Sequence, residues 1–432
     1  MRLLFITPEF VTESSYSGGL ANYLGRVTVA LAGKGHNIHV ITRSDKAGDL
    51  EFEGVHVHRV VPWWGYGLEH LDPRIPRKYY PVYQDIKGAW AAWQRWRALR
   101  QDLHFDLIQL ANVQAVGLFF RWERKTPIVM RMSSYRPTWD TLAGVADVPG
   151  AKLRWKLEKA VAEASRHLYA PSHFVARQIE ANYRVPSVDV IETPFFQENI
   201  EGDRSVLESA VGRRPYLLFF GRMTQMKGVQ HLVEALPKLL DQYPELNAVL
   251  IGGDGVAPQG GSMHSFVRQK LSGYANRIHL LDSVRHDKLY PFVAEARVVA
   301  IPSLVDNLPN TCLEAMGLGK VVVATTGSCF EQLIIDGQSG FLSVPGDPIA
   351  LANSIDRAWR VGDDDRRRIG QAAQLRIAEL HPDVAVPRLE KYFQNIIKES
   401  GRKTLPSSSD YRLSETVCDK NGTVATEELA SA

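Results

Sequence analysis

The pattern that most constrains this chain is an alternation of short apolar runs with longer helical stretches. In the first half the runs are Leu3–Thr7, Ile38–Thr42, Val55–Val60, Leu107–Leu110, Ile128–Met132, Leu168–Ala170 and Val188–Ile191. In the second half they are Tyr216–Phe220, Ala248–Ile251, Ile278–Leu281, Val298–Ile301 and Val321–Ala324. Continuous apolar runs separated by helices are the signature of parallel strands joined by crossover helices. At 432 residues the chain is too long for one ordinary core and suits two domains of about 200 residues each. The expected class is therefore α/β, with two Rossmann-like domains whose strand ends face a common cleft. We place the first domain at 1–200, a polar linker at 201–214 and the second domain at 215–381. A helix over 382–400 is expected to pack back on the first domain, and 401–432, rich in Ser, Thr and charge, is expected to be disordered.

Bulk properties exclude several classes of function. The net charge of +3 is small and its signs are interspersed, which argues against nucleic acid as the main partner. Cys312, Cys329 and Cys418 are far apart, with no zinc or disulfide spacing, so a reducing cytosol is the simplest setting. The apolar run after Met1 is too short for a signal peptide and reads as the first strand, and no run is long enough to span a membrane. Asn421-Gly422-Thr423 matches a glycosylation acceptor, which a cytosolic tail would leave unused.

Candidate chemistry collects at the carboxyl ends of the strands, where ligands bind in open α/β sheets. After Val298–Ile301 comes a loop from Asp306 into a helix bearing Glu314, so two carboxylates stand eight residues apart. The backbone N–H groups of Leu308 to Thr311 would face the same pocket. Carboxylates beside free amides suit a ligand rich in hydroxyls, such as a sugar. The plainer alternative is a capping Asp306 and a solvated Glu314. After Tyr216–Phe220, Arg222 and Lys227 lie five apart in the loop before the next helix. Two cations and a helix start fit a diphosphate. Gly18 and Gly19 open the first helix and permit close backbone approach to an anion, although the pattern is not GxGxxG. Ala324 to Ser328, with Thr326 at its centre, follows another strand and could complete the phosphate end of the pocket. Gly252 to Gly255 reads chiefly as a turn, with lining of the nucleotide site as the lesser alternative. Asp363-Asp364-Asp365 formally matches a metal-binding DxD pattern, but it precedes three arginines and reads as helix-start charge.

Taken in this order, the pieces resemble the retaining glycosyltransferases of the GT-B fold, the group that includes glycogen and sucrose synthases. The resemblance covers the chain to about residue 400. It is strongest in Gly221-Arg222 to Lys227-Gly228, in Asp306 to Glu314, and from Thr325–Gly327 through Asp336–Leu342. The family's usual Glu-x7-Glu begins here with Asp306, within an Asp-Asn-Leu-Pro-Asn-Thr form similar to that of polysaccharide-building members. The resemblance implies transfer of a sugar from a nucleoside-diphosphate sugar to a glycan or lipid-linked glycan, with retention and without a cofactor or metal. Arg222 and Lys227 would hold the diphosphate, Glu314 the ribose, and Val284-Arg285 would lie near the base. Asp306 with the N–H groups of Leu308 and Asn310 would hold the sugar, and Gly18 and Gly19 would approach from the first domain. The resemblance implies attack from the leaving-group face with the departing phosphate as base, and Asp306 as a covalent nucleophile is the less favoured version.

Two departures stand out. Many family members carry a His after the fifth strand, and Ser133 takes that place here, which leaves Arg131 or Ser133 to read the sugar. The family's Asn-Gly near the end of the first domain is replaced by Glu192-Thr193-Pro194-Phe195.

The first domain should bind the acceptor. It holds eight of the nine tryptophans, including Trp63-Trp64 and the row Trp90, Trp93 and Trp96 interleaved with cations. That row suits either a helix resting on the inner face of a membrane or a buried aromatic face, and the frequency of Trp in cores favours the second. The rival functions are a non-catalytic nucleotide-sugar-binding or assembly protein, a nucleotide-sugar epimerase or phosphorylase of similar fold, and an NAD-dependent oxidoreductase. The last three lack an acid/base pair, a pyridoxal lysine signal and a dinucleotide fingerprint, respectively.

Overall fold

The computed structural model describes residues 1–13, 19–63, 74–197 and 202–404. Its first sheet contains β1 (Arg2–Thr7), β2 (Asn37–Arg43), β3 (Gly48–Phe52), β4 (Val55–Val60), β5 (Leu107–Ala111), β6 (Ile128–Arg131), β7 (His167–Ala170) and β8 (Asp189–Val190). The second contains β9 (Tyr216–Phe220), β10 (Asn247–Ile251), β11 (Ile278–Leu281), β12 (Val298–Ile301), β13 (Val322–Thr325) and β14 (Phe341–Ser343). Around the first sheet lie α1 (Gly19–Gly33), α2 (Tyr80–Asp102), α3 (Arg136–Leu142), α4 (Pro149–Glu163) and α5 (His173–Asn182). The second half adds α6 (Ser205–Ala210), α7 (Val229–Gln242), α8 (Met263–Lys270), α9 (His286–Glu295), α10 (Asn310–Gly317), α11 (Pro348–Trp359), α12 (Asp363–Ala378) and α13 (Pro382–Thr404).

The strand orders are β3-β4-β2-β1-β5-β6-β7-β8 and β11-β10-β9-β12-β13-β14. Every pairing is parallel except β3 with β4. The second order is that of a doubly wound sheet, and its direction reverses between β9 and β12. A crevice opens at that point, outside the strand carboxyl ends.

Each sheet is buried on both faces because its strands are apolar at successive positions. Leu217 and Phe219 of β9 enter one core, while Tyr216, Leu218 and Phe220 enter the opposite one. In β1, Leu4 and Ile6 separate from Leu3 and Phe5 in the same way.

One segment differs from the sequence expectation. Residues 202–214 are not a plain linker, because Leu207 of α6 and Val211 just after it pack into the core of the second domain. Helix α13 crosses back to the first domain, where Val386, Leu389, Phe393 and Ile396 join Phe5 and Tyr169. The spacing of these four places them on one face, and burying each contributes up to about 1.5–3 kcal/mol. Residues 405–432, with Cys418 and Asn421, lie outside the described residues.

The Trp row belongs largely to the core. Trp96 is fully buried, and Trp93 and Trp96 pack on Phe120 with ring centroids 5.1 and 5.4 Å away. Trp90 rests on Phe119 at 5.1 Å. Trp63 is described and exposed, whereas Trp64 lies outside the described residues. Among the described residues, no helix is long and apolar enough to cross a membrane.

Candidate active site

The reversal between β9 and β12 is closed by backbone that tolerates no side chain. Gly228 has φ +71°, and a Cβ there would sit 1.8 Å from the carbonyl oxygen of Pro302. That contact locks the loop after β9 against the loop after β12. Gly252 plays the same part between β10 and β9, since its Cβ would lie 1.8 Å from the Gly221 oxygen.

A cleft of about 1220 Å³ opens between the two domains over this floor. From the second domain it is lined by Arg222, Val284, Asn310, Thr311 and Glu314. Arg222 is exposed and has no carboxylate partner among the described residues. Asn310 and Thr311 are the first two residues of α10 after Pro309, where N–H groups have no intrahelical acceptor. Glu314, one turn further on, is buried. A cation, two free amides and a buried carboxylate therefore converge at the switch point.

Lys227 and Asp306 do not line the cleft themselves; in the loops that flank it they form an ion pair, Nζ to Oδ2 at 2.5 Å. Asp306 also accepts hydrogen bonds from Ser303 Oγ (3.0 Å) and from the Asn307 N–H (3.1 Å). The Asn307 side-chain amide reaches across the domain gap and donates to the Ser133 carbonyl at 2.9 Å. Ser133 Oγ in turn accepts from Arg131 Nη1 at 2.6 Å. Three buried atoms around this loop have no partner: Arg131 Nε, Asn307 Oδ1 and Ser328 Oγ. Orphaned polar atoms of this kind cost free energy unless a polar ligand satisfies them.

Not every residue proposed from sequence faces the cleft. The Leu308 N–H is already taken by Cys329 Sγ at 3.0 Å in a buried contact, so it is not a free donor. Leu308 itself has φ +50°, which turns its side chain into the core. Thr326 directs both its N–H and its hydroxyl at the Ser343 carbonyl, at 2.8 and 3.3 Å, and does not line the cleft. Arg285 projects into solvent and pairs with Asp287 at 3.2 Å. Gly19 begins α1, and Gly18 lies outside the described residues. The three aspartates at 363–365 each pair with the arginine three residues on, within the first turns of α12. Among the described residues, no group of His, Cys, Asp and Glu could hold a metal ion.

The sequence reading missed the first-domain wall. Asn22, Arg26 and Val29 of α1 line the cleft opposite Arg222, and Arg26 stacks over Phe195 at 5.4 Å. The i, i+4, i+7 spacing of these three was the available signal, since it sets them on one face.

The comparisons agree with this geometry. A family model described as Glycosyltransferase Family 4 matches residues 17–195, and one described as Glycosyl transferases group 1 matches residues 214–360. The D-inositol 3-phosphate glycosyltransferase of Corynebacterium diphtheriae is 24% identical over 88% of this chain and 90% of its own. The enzyme of that name from Kribbella flavida is 28% identical over 83% of this chain and 86% of its own. Among solved structures, sucrose-phosphate synthase from Thermosynechococcus elongatus aligns with a TM-score of 0.73 at 20% identity, covering 92% of this chain and 99% of that one. Anabaena HepE, solved with UDP and glucose, aligns with a TM-score of 0.68 at 20% identity, covering 91% and 100%. Two parallel-sheet domains in the GT-B arrangement, matched in each half by a glycosyltransferase model, place this chain in the group 1 (family 4) glycosyltransferases.

Proposed function

We propose that this protein transfers a sugar from a nucleoside-diphosphate sugar to a glycan or lipid-linked glycan, with retention of configuration and without a metal. The observation that carries the proposal is the convergence of Arg222, the α10 amides and buried Glu314 on one cleft at the β9/β12 switch point. The donor's diphosphate lies against Arg222, with Lys227 below it. As the glycosidic bond breaks, the bonding pair leaves with the phosphate oxygen. Fixed cations stabilise that charge without the reorganisation that water would need, which lowers a barrier by several kcal/mol. Glu314 accepts from the ribose hydroxyls. Asp306, the Asn310 N–H and the orphaned Asn307 Oδ1 and Ser328 Oγ take the sugar hydroxyls. The acceptor hydroxyl attacks from the face that the phosphate leaves and passes its proton to that phosphate.

HepE was solved with UDP, which favours a uridine nucleotide here. The relatives named for an inositol phosphate make a phosphorylated polyol the second acceptor class to try. A lipid-linked acceptor would bring the first domain to the cytoplasmic face of a membrane as a peripheral protein.

The test is calorimetric titration of UDP, GDP and ADP into wild type and an Arg222→Ala/Lys227→Ala variant. One nucleotide should bind to wild type and not to the folded variant. A folded wild type that binds none of the three would sink the donor site and return weight to a non-transferase role. NMR of the product anomer and turnover in EDTA then test retention and metal independence.

A further inference from the structure

We infer that the α3–α4 connection and the neighbouring start of α2 form a docking surface for an anionic lipid bilayer. The inference rests on the peripheral-membrane part of the reading above and assigns it to named residues. It also moves the membrane-facing surface away from the Trp row, whose rings are largely packed on Phe119 and Phe120.

The surface is built from two segments held together by a backbone contact. Gly150, in the first turn of α4, lies so close to the Lys78 carbonyl that a Cβ would stand 2.2 Å from it. The turn Arg77–Tyr79 therefore sits directly beside the start of α4. Along these two segments Leu142, Val145, Val148 and Leu153 are exposed, and so is Tyr80. Solvated connections usually carry polar residues, yet the run from Leu142 to Pro149 has Asp147 as its one charge, and Lys152 pairs with it at 3.1 Å. Arg77, Lys78 and Lys156 lie on the same two segments, exposed and without a carboxylate partner among the described residues.

Exposed aliphatic side chains beside exposed cations match the two components of a bilayer interface. The aliphatic groups enter the headgroup–acyl boundary, and the cations pair with lipid phosphates. A protein partner could cover the apolar residues, but the unpaired cations favour a surface with a net negative charge. The position also fits. Helix α3 follows β6, at the strand carboxyl ends that face the cleft, so a bilayer on this surface would present a lipid-linked acceptor to the first-domain rim.

The experiment is cosedimentation of the full chain with vesicles of phosphatidylcholine alone or mixed with phosphatidylglycerol. Wild type should bind the mixed vesicles, bind phosphatidylcholine far more weakly, and dissociate as salt rises. Each cation near an anionic surface is worth about fivefold in partitioning, so Lys78→Gln/Lys156→Gln should weaken binding about 30-fold. Val145→Asp/Val148→Asp should abolish it. These side chains are exposed, so both variants should keep the wild-type far-UV circular dichroism and nucleotide affinity. Mixed-vesicle binding that neither variant changes would overturn this surface while leaving peripheral attachment intact. No binding by folded wild type would overturn both. A dimer in lipid-free buffer that Val145→Asp/Val148→Asp disperses, with no vesicle binding, would reassign the face to self-association.

Discussion

Lys227→Met tests whether the ion pair under the cleft organises the donor site. The substitution keeps most of the side-chain volume and removes the charge 2.5 Å from Asp306. Breaking a fully buried pair by removing one partner costs about 3–5 kcal/mol. Here the Asp306 side chain is 7% exposed and that of Lys227 19% exposed. The carboxylate also keeps its bonds to Ser303 Oγ and the Asn307 N–H. The expected cost is therefore lower, about 2–3 kcal/mol. Asp306→Asn should cost about 1 kcal/mol, since Lys227 can still reach water. The double variant should be less destabilised than the sum of the singles by at least about 1 kcal/mol. Two-domain unfolding is rarely two-state, so the readout is hydrogen exchange in peptides covering β9 and β12. In parallel, nucleoside-diphosphate affinity should fall about 10- to 100-fold in Lys227→Met through the lost charged contact. Additive effects, or unchanged exchange in Lys227→Met, would show that the pair does not hold these loops together.

Three further outcomes follow from the geometry. Glu314→Gln should weaken a nucleoside diphosphate about 10-fold or more by calorimetry while leaving inorganic diphosphate unaffected, because the carboxylate is assigned to the ribose. Gly228→Ala should cost at least about 3 kcal/mol by the same exchange assay, since φ +71° strains a side chain and the Pro302 carbonyl must move away. Burial and the neighbouring His58 push His39 down to about 3, so its contribution is present above the unfolded value near 6.5 and is lost as pH falls toward 3. Burial pushes Glu158 up to about 7, so its carboxyl costs stability as pH rises from about 4.5 to 7. Each slope is about 1.4 kcal/mol per pH unit at most and the two oppose, so His39→Gln and Glu158→Gln should tilt the pH dependence in opposite directions. Tryptophan fluorescence reports this selectively, because eight of the nine tryptophans lie in the first domain.

What could be read from sequence was local, and what escaped it depends on distant partners. The buried parallel strands were visible because each is an apolar run bounded by turns. Strand β14 is three residues long, too short to show a period, and β3 is an antiparallel edge whose Leu50 and Phe52 alternate with polar residues. Polar composition concealed α6, although two apolar residues in that segment, Leu207 and Val211, enter the core. At the candidate site, the places of Arg222 after β9 and of Glu314 within α10 were legible from the local pattern. The Lys227–Asp306 pair spans 79 residues, and no local pattern announces it. The same holds for the Leu308 N–H, which finds a sulfur 21 residues away in place of a substrate hydroxyl. The Trp row could not be assigned from spacing, because a buried aromatic face and a membrane-resting one share the same period.

The two halves of the site differ in how firmly they are built, and that difference bears on turnover. In the second domain the loops after β9, β10 and β12 are fixed by backbone contacts at Gly228 and Gly252, by the Lys227–Asp306 pair and by the Leu308–Cys329 contact. Burial pushes the Cys329 thiol well above its usual range, which keeps it neutral and able to accept that N–H without becoming a reactive thiolate. Across the gap, besides the apolar packing of Phe195 and α13, several links are polar. Asn307 donates to Ser133 at 2.9 Å, the His173 N–H donates to Gln332 at 2.9 Å, and Glu192 receives Gln332 and Arg376. Each such bond is worth about 1 kcal/mol net once water can replace it, so opening them together costs a few kcal/mol. A gap of that size is crossed on the microsecond-to-millisecond scale of domain motions. Of these links, the Asn307–Ser133 contact touches the loop that carries Asp306. On the proposed reading, domain opening would therefore free one side of the sugar pocket while the groups at the diphosphate stay in place, an order that suits product release before the nucleotide departs.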